Sequence, residues 1–173
     1  MKLKKVIVFF SFLSLSFSQD MKSINGEIKY YGSHPLHDWI GVSKIISGKI
    51  DYSIKKKNTN VIIMTPLRSF NSRVPSRDSN MLIYTNAIDH PKVVFESTNF
   101  EFAKDSVHIS GDLNFNGITK SIKTSALFMQ SDSIYIEGSF FIRLSDYKVI
   151  RPSLMFLKID DLVKIEYHFN LKI

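Results

Sequence analysis

No cysteine occurs in the chain. Disulfides, thiol catalysis, cysteine metal sites and a lipid-modified N-terminal cysteine are therefore excluded. An exported fold without disulfides must hold on its core alone. Glycine (7) and proline (5) are sparse among 173 residues, which excludes collagen-like and low-complexity chains. No Gly-x-Ser-x-Gly elbow, phosphate loop or dinucleotide fingerprint is present, and no order of Ser, His and Asp singles out a triad. Nothing in the sequence argues for an enzyme, so no catalytic residue is expected. Beyond residue 17 no apolar run is long enough to cross a bilayer as a helix.

What is present suits one domain with a sizeable core: 44% of residues are hydrophobic and 13% aromatic. The formal net charge is +7; Lys2, Lys4 and Lys5 carry three of these charges, leaving +4 for the rest. The other cations are scattered among acids except for the run Lys55-Lys56-Lys57. No aromatic platform is interleaved with that run, so it reads as a solvated loop and nucleic acid is not an expected partner. At the N-terminus a basic stretch (1–5) precedes an apolar one (6–17) and the small residues of Ser16-Phe17-Ser18. This is the pattern of a secretory signal peptide over 1–18 with Gln19 as the mature start. The expected product is a soluble periplasmic or secreted domain, 19–173, with no transmembrane segment after signal cleavage. Monomer and homodimer are both left open.

The remainder alternates with period 2, the mark of strands with one buried face. Expected strands run over Ile24–Tyr31, Leu36–Tyr52 (one long strand with a bulge near Lys44–Ile46), Val61–Leu67, Lys92–Phe102, Ser106–Phe115, Ile118–Met129, Ile134–Leu144 and Val163–Leu171. Asn116-Gly117 is a hairpin turn that accepts positive φ at both positions. Gly32 to Pro35 is expected to end the first strand. A short helix is expected over Arg77–Ala87, with Ser76 as its cap, Asp78 in its first turn, and Met81, Leu82, Tyr84 and Ile88 as its apolar face. Ser145–Leu157 reads as a loop. These elements predict an all-β fold: an eight-stranded antiparallel up-and-down β-barrel with one short helix near one end, since closure removes exposed edges. A barrel of this size is either filled by side chains or holds one slender ligand, which the inward aromatic faces would require to be apolar.

Few polar residues stand out. His34 and His37 have a metal-like spacing, but Pro35 forbids a helical face and positions three apart on a strand face opposite ways, so no metal site is expected. Arg77 and Arg151 read either as surface ion pairs or as contacts for the head of an amphipathic ligand. The single tryptophan, Trp39, reads as a core, barrel-mouth or interface residue.

Five stretches, in order, resemble the YceI-like family of exported lipocalin-like barrels. They are His37-Asp38-Trp39 with Gly48; Arg77-Asp78 followed by Met81; His90-Pro91 with Phe95 and Ser97; Gly111-x-Leu113 through Asn116-Gly117-Ile118-Thr119-Lys120; and Gly138-x-Phe140 through Ser145-Asp146-Tyr147 to Pro152, then Asp161. Asn116 stands where that family often has histidine, and His90 where it often has tyrosine. The resemblance implies an apolar tunnel that holds a polyisoprenoid, quinone or other long-chain lipid without catalysis. No cofactor beyond such a lipid is implied. The residues expected to line the tunnel are Phe95, Phe115, Phe128, Phe140, Tyr167 and Phe169, with Trp39 and Met81 nearer the opening.

Overall fold

The computed structural model describes residues 21–51 and 60–172. The signal-like segment 1–18 and the Lys55–Lys57 run lie outside the described residues. The strands are β1 (Lys22–Ser23), β2 (Asn25–His34), β3 (His37–Ser43), β4 (Ser47–Asp51), β5 (Asn60–Pro66), β6 (Lys92–Phe102), β7 (Ser106–Phe115), β8 (Ile118–Gln130), β9 (Ser133–Arg143), β10 (Ser153–Leu154), β11 (Leu157–Lys158) and β12 (Leu162–Lys172). One helix, α1 (Pro75–Tyr84), and two short 3₁₀ turns (Leu67–Ser69 and Leu144–Tyr147) complete the described elements.

Ten strands form one curled antiparallel sheet in the order β1-β4-β5-β6-β7-β8-β9-β12-β2-β3. Its two ends are joined through the chain itself: β1 runs into β2 across Ile24, and β3 runs into β4 across 44–46. Counting each pair as one interrupted strand leaves eight, and the pairings make a complete circuit. The difference from the expected count is therefore one of interruption, plus the small β10–β11 hairpin. The break at 44–46 is where the alternation changes phase. There the chain turns a corner, so β3 pairs with β2 while β4 pairs with β5. Buried hydroxyls seal that corner: Ser43 Oγ lies 3.1 Å from Thr65 Oγ1 and 2.6 Å from Ser69 Oγ, and Thr65 donates to the Ile45 carbonyl. Val42 and Asn71 add one antiparallel bridge.

Inward residues form two stacked clusters. One is built on Ile24, Ile46, Ile63, Val107, Ile109, Ala126, Tyr167 and Phe169. The other is built on Leu67, Leu113, Phe115, Ile142, Leu144, Tyr147, Val149 and Val163. Phe95 and Phe140 pack against both. On β6 the inward set switches from odd (Val93, Phe95) to even (Phe100, Phe102), because the register slips between Ser97 and Asn99.

Several expectations need correction. β2 continues through His34, so Gly32 and Ser33 do not end it and the turn is Pro35-Leu36. That turn makes His34 and His37 direct cross-strand partners with rings 5.7 Å apart, on one face rather than two. Helix α1 begins earlier than expected, with Pro75 at its first turn and no side-chain cap from its N-cap residue Val74. Asp78 instead accepts the Ser72 backbone N–H at 3.0 Å. Ile88 lies in the turn after α1 and is 95% exposed, so it is no part of an apolar face. The 145–157 segment is not irregular throughout, since it enters the β10–β11 hairpin.

The Asn116-Gly117 turn has φ of 50° and 71°. Asn116 Nδ2 donates to the Tyr147 carbonyl at 2.9 Å, which ties this hairpin to the 144–147 turn. Burial, reinforced by Asp146, pushes the Tyr147 phenol up to about 12. Asn116→Ala is expected to cost about 1–3 kcal/mol, from the left-handed backbone and the lost hydrogen bond together. Asn116→Gly should lose only the hydrogen-bond share. Urea unfolding of the two variants checks this, and equal losses would contradict the backbone contribution.

Candidate functional site

Period-2 alternation around a closed circuit leaves every second side chain pointing inward, and these side chains do not fill the space. A cavity of about 590 Å³ runs through the barrel. All eight residues singled out from the sequence line it: Trp39, Met81, Phe95, Phe115, Phe128, Phe140, Tyr167 and Phe169. Reasoning from sequence missed Tyr30, His34, His37, Ile122 and Ile165, which also line it. Ile122 shares phase with Phe128, Ile165 with Tyr167, and Tyr30 with the apolar Ile28 on its own strand, so the same periodicity could have found them. The histidines needed knowledge of the turn.

The lumen stays open because aromatic rings lie along the wall. Gly41 opposes Tyr30 across β2–β3, and Gly32 opposes Trp39. Gly138 opposes Tyr167 across β9–β12. A β-carbon at Gly41 would overlap the Tyr30 ring, one at Gly32 the Trp39 indole, and one at Gly111 the Phe95 ring. Each glycine provides a slot into which a neighbouring ring folds flat, and this is why they are glycines.

Polar groups divide by depth. In mid-lumen they satisfy one another: Thr124 Oγ1 donates to the Ser139 carbonyl at 3.0 Å and lies 3.1 Å from Tyr167 Oη. Burial raises the Tyr167 pKa, so the phenol stays neutral. At the end beside α1 they do not. Tyr30 Oη and Trp39 Nε1 are buried there without a hydrogen-bond partner among the described residues. Burial raises the Tyr30 pKa; the nearby indole N–H offsets part of the shift without forming a well-aligned bond. The Arg77 guanidinium sits 5.0 Å above the Trp39 ring. This mouth therefore gathers a phenol, an indole N–H and a cation around an apolar shaft. Toward the other end of the strands the lining is aromatic, with Phe102 and Phe128 edge to face at 5.2 Å.

The two arginines separate. Arg77 lines the cavity. Arg151 instead braces the loop outside it, donating to the Ile159 carbonyl at 3.2 Å and lying 3.8 Å from Asp161. Asp161 also accepts the Ser145 backbone N–H at 2.8 Å and its hydroxyl at 2.6 Å. The Ser145 hydroxyl holds its carboxyl below the usual range, as Lys29 does for Glu27 and Lys164 for Glu166. Lowered carboxylates stabilise the fold above their unfolded values, near pH 4, and lose that contribution as pH falls through the folded ones. Stability should therefore drop on acidification below about pH 4. Asp161→Asn should flatten part of the drop in thermal melts across that range. An unchanged acid slope in the variant would contradict the role given to Asp161.

Among the described residues no group of three or more His, Cys, Asp or Glu side chains could hold a metal. His34 is committed elsewhere: Nδ1 accepts the Leu36 N–H at 3.2 Å and Nε2 lies 3.1 Å from the Leu157 carbonyl. No helix among the described residues is long and apolar enough to cross a membrane.

A family model described as a YceI-like domain matches residues 15–171. No curated protein sequence matches. Similar solved structures include Burkholderia cenocepacia BcnA (TM-score 0.77, 15% identity, 85% of this chain and 96% of that one). A polyisoprenoid-binding domain from Saccharophagus degradans, implicated in plant cell wall breakdown, superposes with TM-score 0.71 at 15% identity, over 88% of this chain and 96% of that one. The Campylobacter jejuni YceI protein matches over 99% of both chains with TM-score 0.65 and 14% identity. At such identities these structures speak to the fold alone.

Proposed function

The chain belongs to the YceI-like family, and on that premise we propose that it is an exported, non-catalytic carrier of one long-chain apolar ligand, a polyisoprenoid, quinone or comparable lipid. The observation that carries this reading is the hollow lumen of about 590 Å³, apolar along its shaft. That volume falls within the range of small-molecule sites. Burying the ligand's tail there is worth about 25 cal/mol per Å² of apolar area. The polyisoprenoid-binding description of the Saccharophagus degradans domain supports the ligand class. The signal-like pattern over 1–18 supports export.

The uneven distribution of polar groups orients the ligand. The tail occupies the shaft, with Phe95, Phe140, Tyr167 and Phe169 against it. The head lies at the mouth, where Tyr30, Trp39 and Arg77 can donate hydrogen bonds to a carbonyl or phosphate oxygen. Organic extraction of the purified protein, followed by mass spectrometry, tests the reading together with uptake of an added quinone. One apolar molecule per chain is expected. An empty extract with no uptake would contradict the reading.

A further inference from the structure

The structure assigns a second surface beside the mouth: we propose that the tip of the β10–β11 hairpin docks the barrel on a lipid bilayer. The strands flank a two-residue turn, Met155-Phe156, with φ of 51° and 65°. This is the left-handed geometry that Asn116-Gly117 adopts with suitable residues. Here it is imposed on two bulky apolar side chains, which rarely accept it. The two side chains bury little surface in return. Phe156 is fully exposed and Met155 is 73% exposed, while the flanking Leu154 and Leu157 are about half exposed. Strain and exposed apolar surface at one tip together point to a partner that is apolar.

The hairpin is fixed to the mouth. Leu154 lines the cavity, the Leu157 carbonyl meets His34, and Asp160 N–H donates to the Ser33 carbonyl at 2.9 Å. The apolar tip is thus continuous with the cavity lining. Four apolar side chains offer far less than the roughly 800 Å² per partner of a stable protein interface. A protruding wedge also needs no matching shape to enter hydrocarbon. The 143–161 segment carries Arg143, Lys148, Arg151 and Lys158 against Asp146, Asp160 and Asp161, and Asp161 faces Arg151. Exposed Lys148 and Lys158 suit anionic headgroups. The choice of a bilayer rests on the carrier reading, since a long apolar ligand has its reservoir there.

The test is flotation with vesicles of phosphatidylethanolamine and phosphatidylglycerol that contain no isoprenoid, so docking is read apart from ligand transfer. The wild-type protein should float with the vesicles. The double variant Met155→Asn/Phe156→Gly gives the turn the residues it favours, so it should fold and take up quinone from solution as before. Its vesicle affinity should fall about tenfold or more. Equal binding by the variant, or no binding by the wild type, would overturn the proposal. So would wild-type self-association that the variant abolishes, which would give the tip to a second copy. Absence of quinone uptake by both proteins, with docking by the wild type and its loss in the variant as expected, would refute the carrier reading and leave the docking surface standing.

Discussion

Ile122→Trp combined with Ile165→Trp is expected to lower affinity for a long apolar ligand by roughly a hundredfold or more, about 2.7 kcal/mol, while leaving the protein folded. Both isoleucines are half-buried and line the cavity from β8 and β12. In a packed core two such enlargements would cost about 1–3 kcal/mol each through overpacking. In a hollow lumen the new rings enter space the ligand would occupy, and filling a void is a usual route to added stability. The sign of the stability change therefore separates a hollow barrel from a filled one, independently of any ligand. Urea unfolding and quinone titration on the same preparation provide both readings. A large loss of stability would mean that the interior is already packed.

Gly111→Ala is expected to cost about 3 kcal/mol, the upper end for overpacking. Gly111 is buried on β7, opposite Ser97 on one side and Ile122 on the other. A β-carbon there would overlap the Phe95 ring and press on the Glu96 carbonyl. The carbonyl belongs to the sheet ladder and cannot move away, so the ring must swing into the lumen. Phe95→Leu should recover part of the loss when combined with Gly111→Ala. The measurement is a double-mutant cycle on unfolding free energies. Additive losses would show that the ring does not depend on the glycine.

Much of the barrel was legible because a strand has only two faces. Once Val163, Ile165, Tyr167, Phe169 and Leu171 fall in one phase, their common direction follows. For this reason six of the lining residues chosen on strands, Phe95, Phe115, Phe128, Phe140, Tyr167 and Phe169, face the cavity. Features that break period were harder. The slip at Ser97–Asn99 shows in the sequence only as a change from odd to even aromatic positions, which does not by itself locate it. The corner at 44–46 shows in the sequence as a phase change, but partner exchange between β2 and β5 is a tertiary fact. Ser76 had the chemistry of a helix cap, yet Pro75 set the first turn by fixing its own φ. The 153–158 hairpin could not be read, because Met155-Phe156 contradicts the turn chemistry of its backbone. The glycine–aromatic slots pair residues distant in sequence, such as Gly138 with Tyr167, and no local pattern announces them.

The most direct test of the central claim, that the lumen holds one linear apolar chain, is native mass spectrometry with quinones of increasing isoprenoid tail length. A one-to-one complex is expected, with affinity rising with each added unit until the shaft is full and then levelling. The tryptophan-plugged variant should retain none of the long-tailed members. Affinity independent of tail length, or equal retention by the plugged variant, would contradict it.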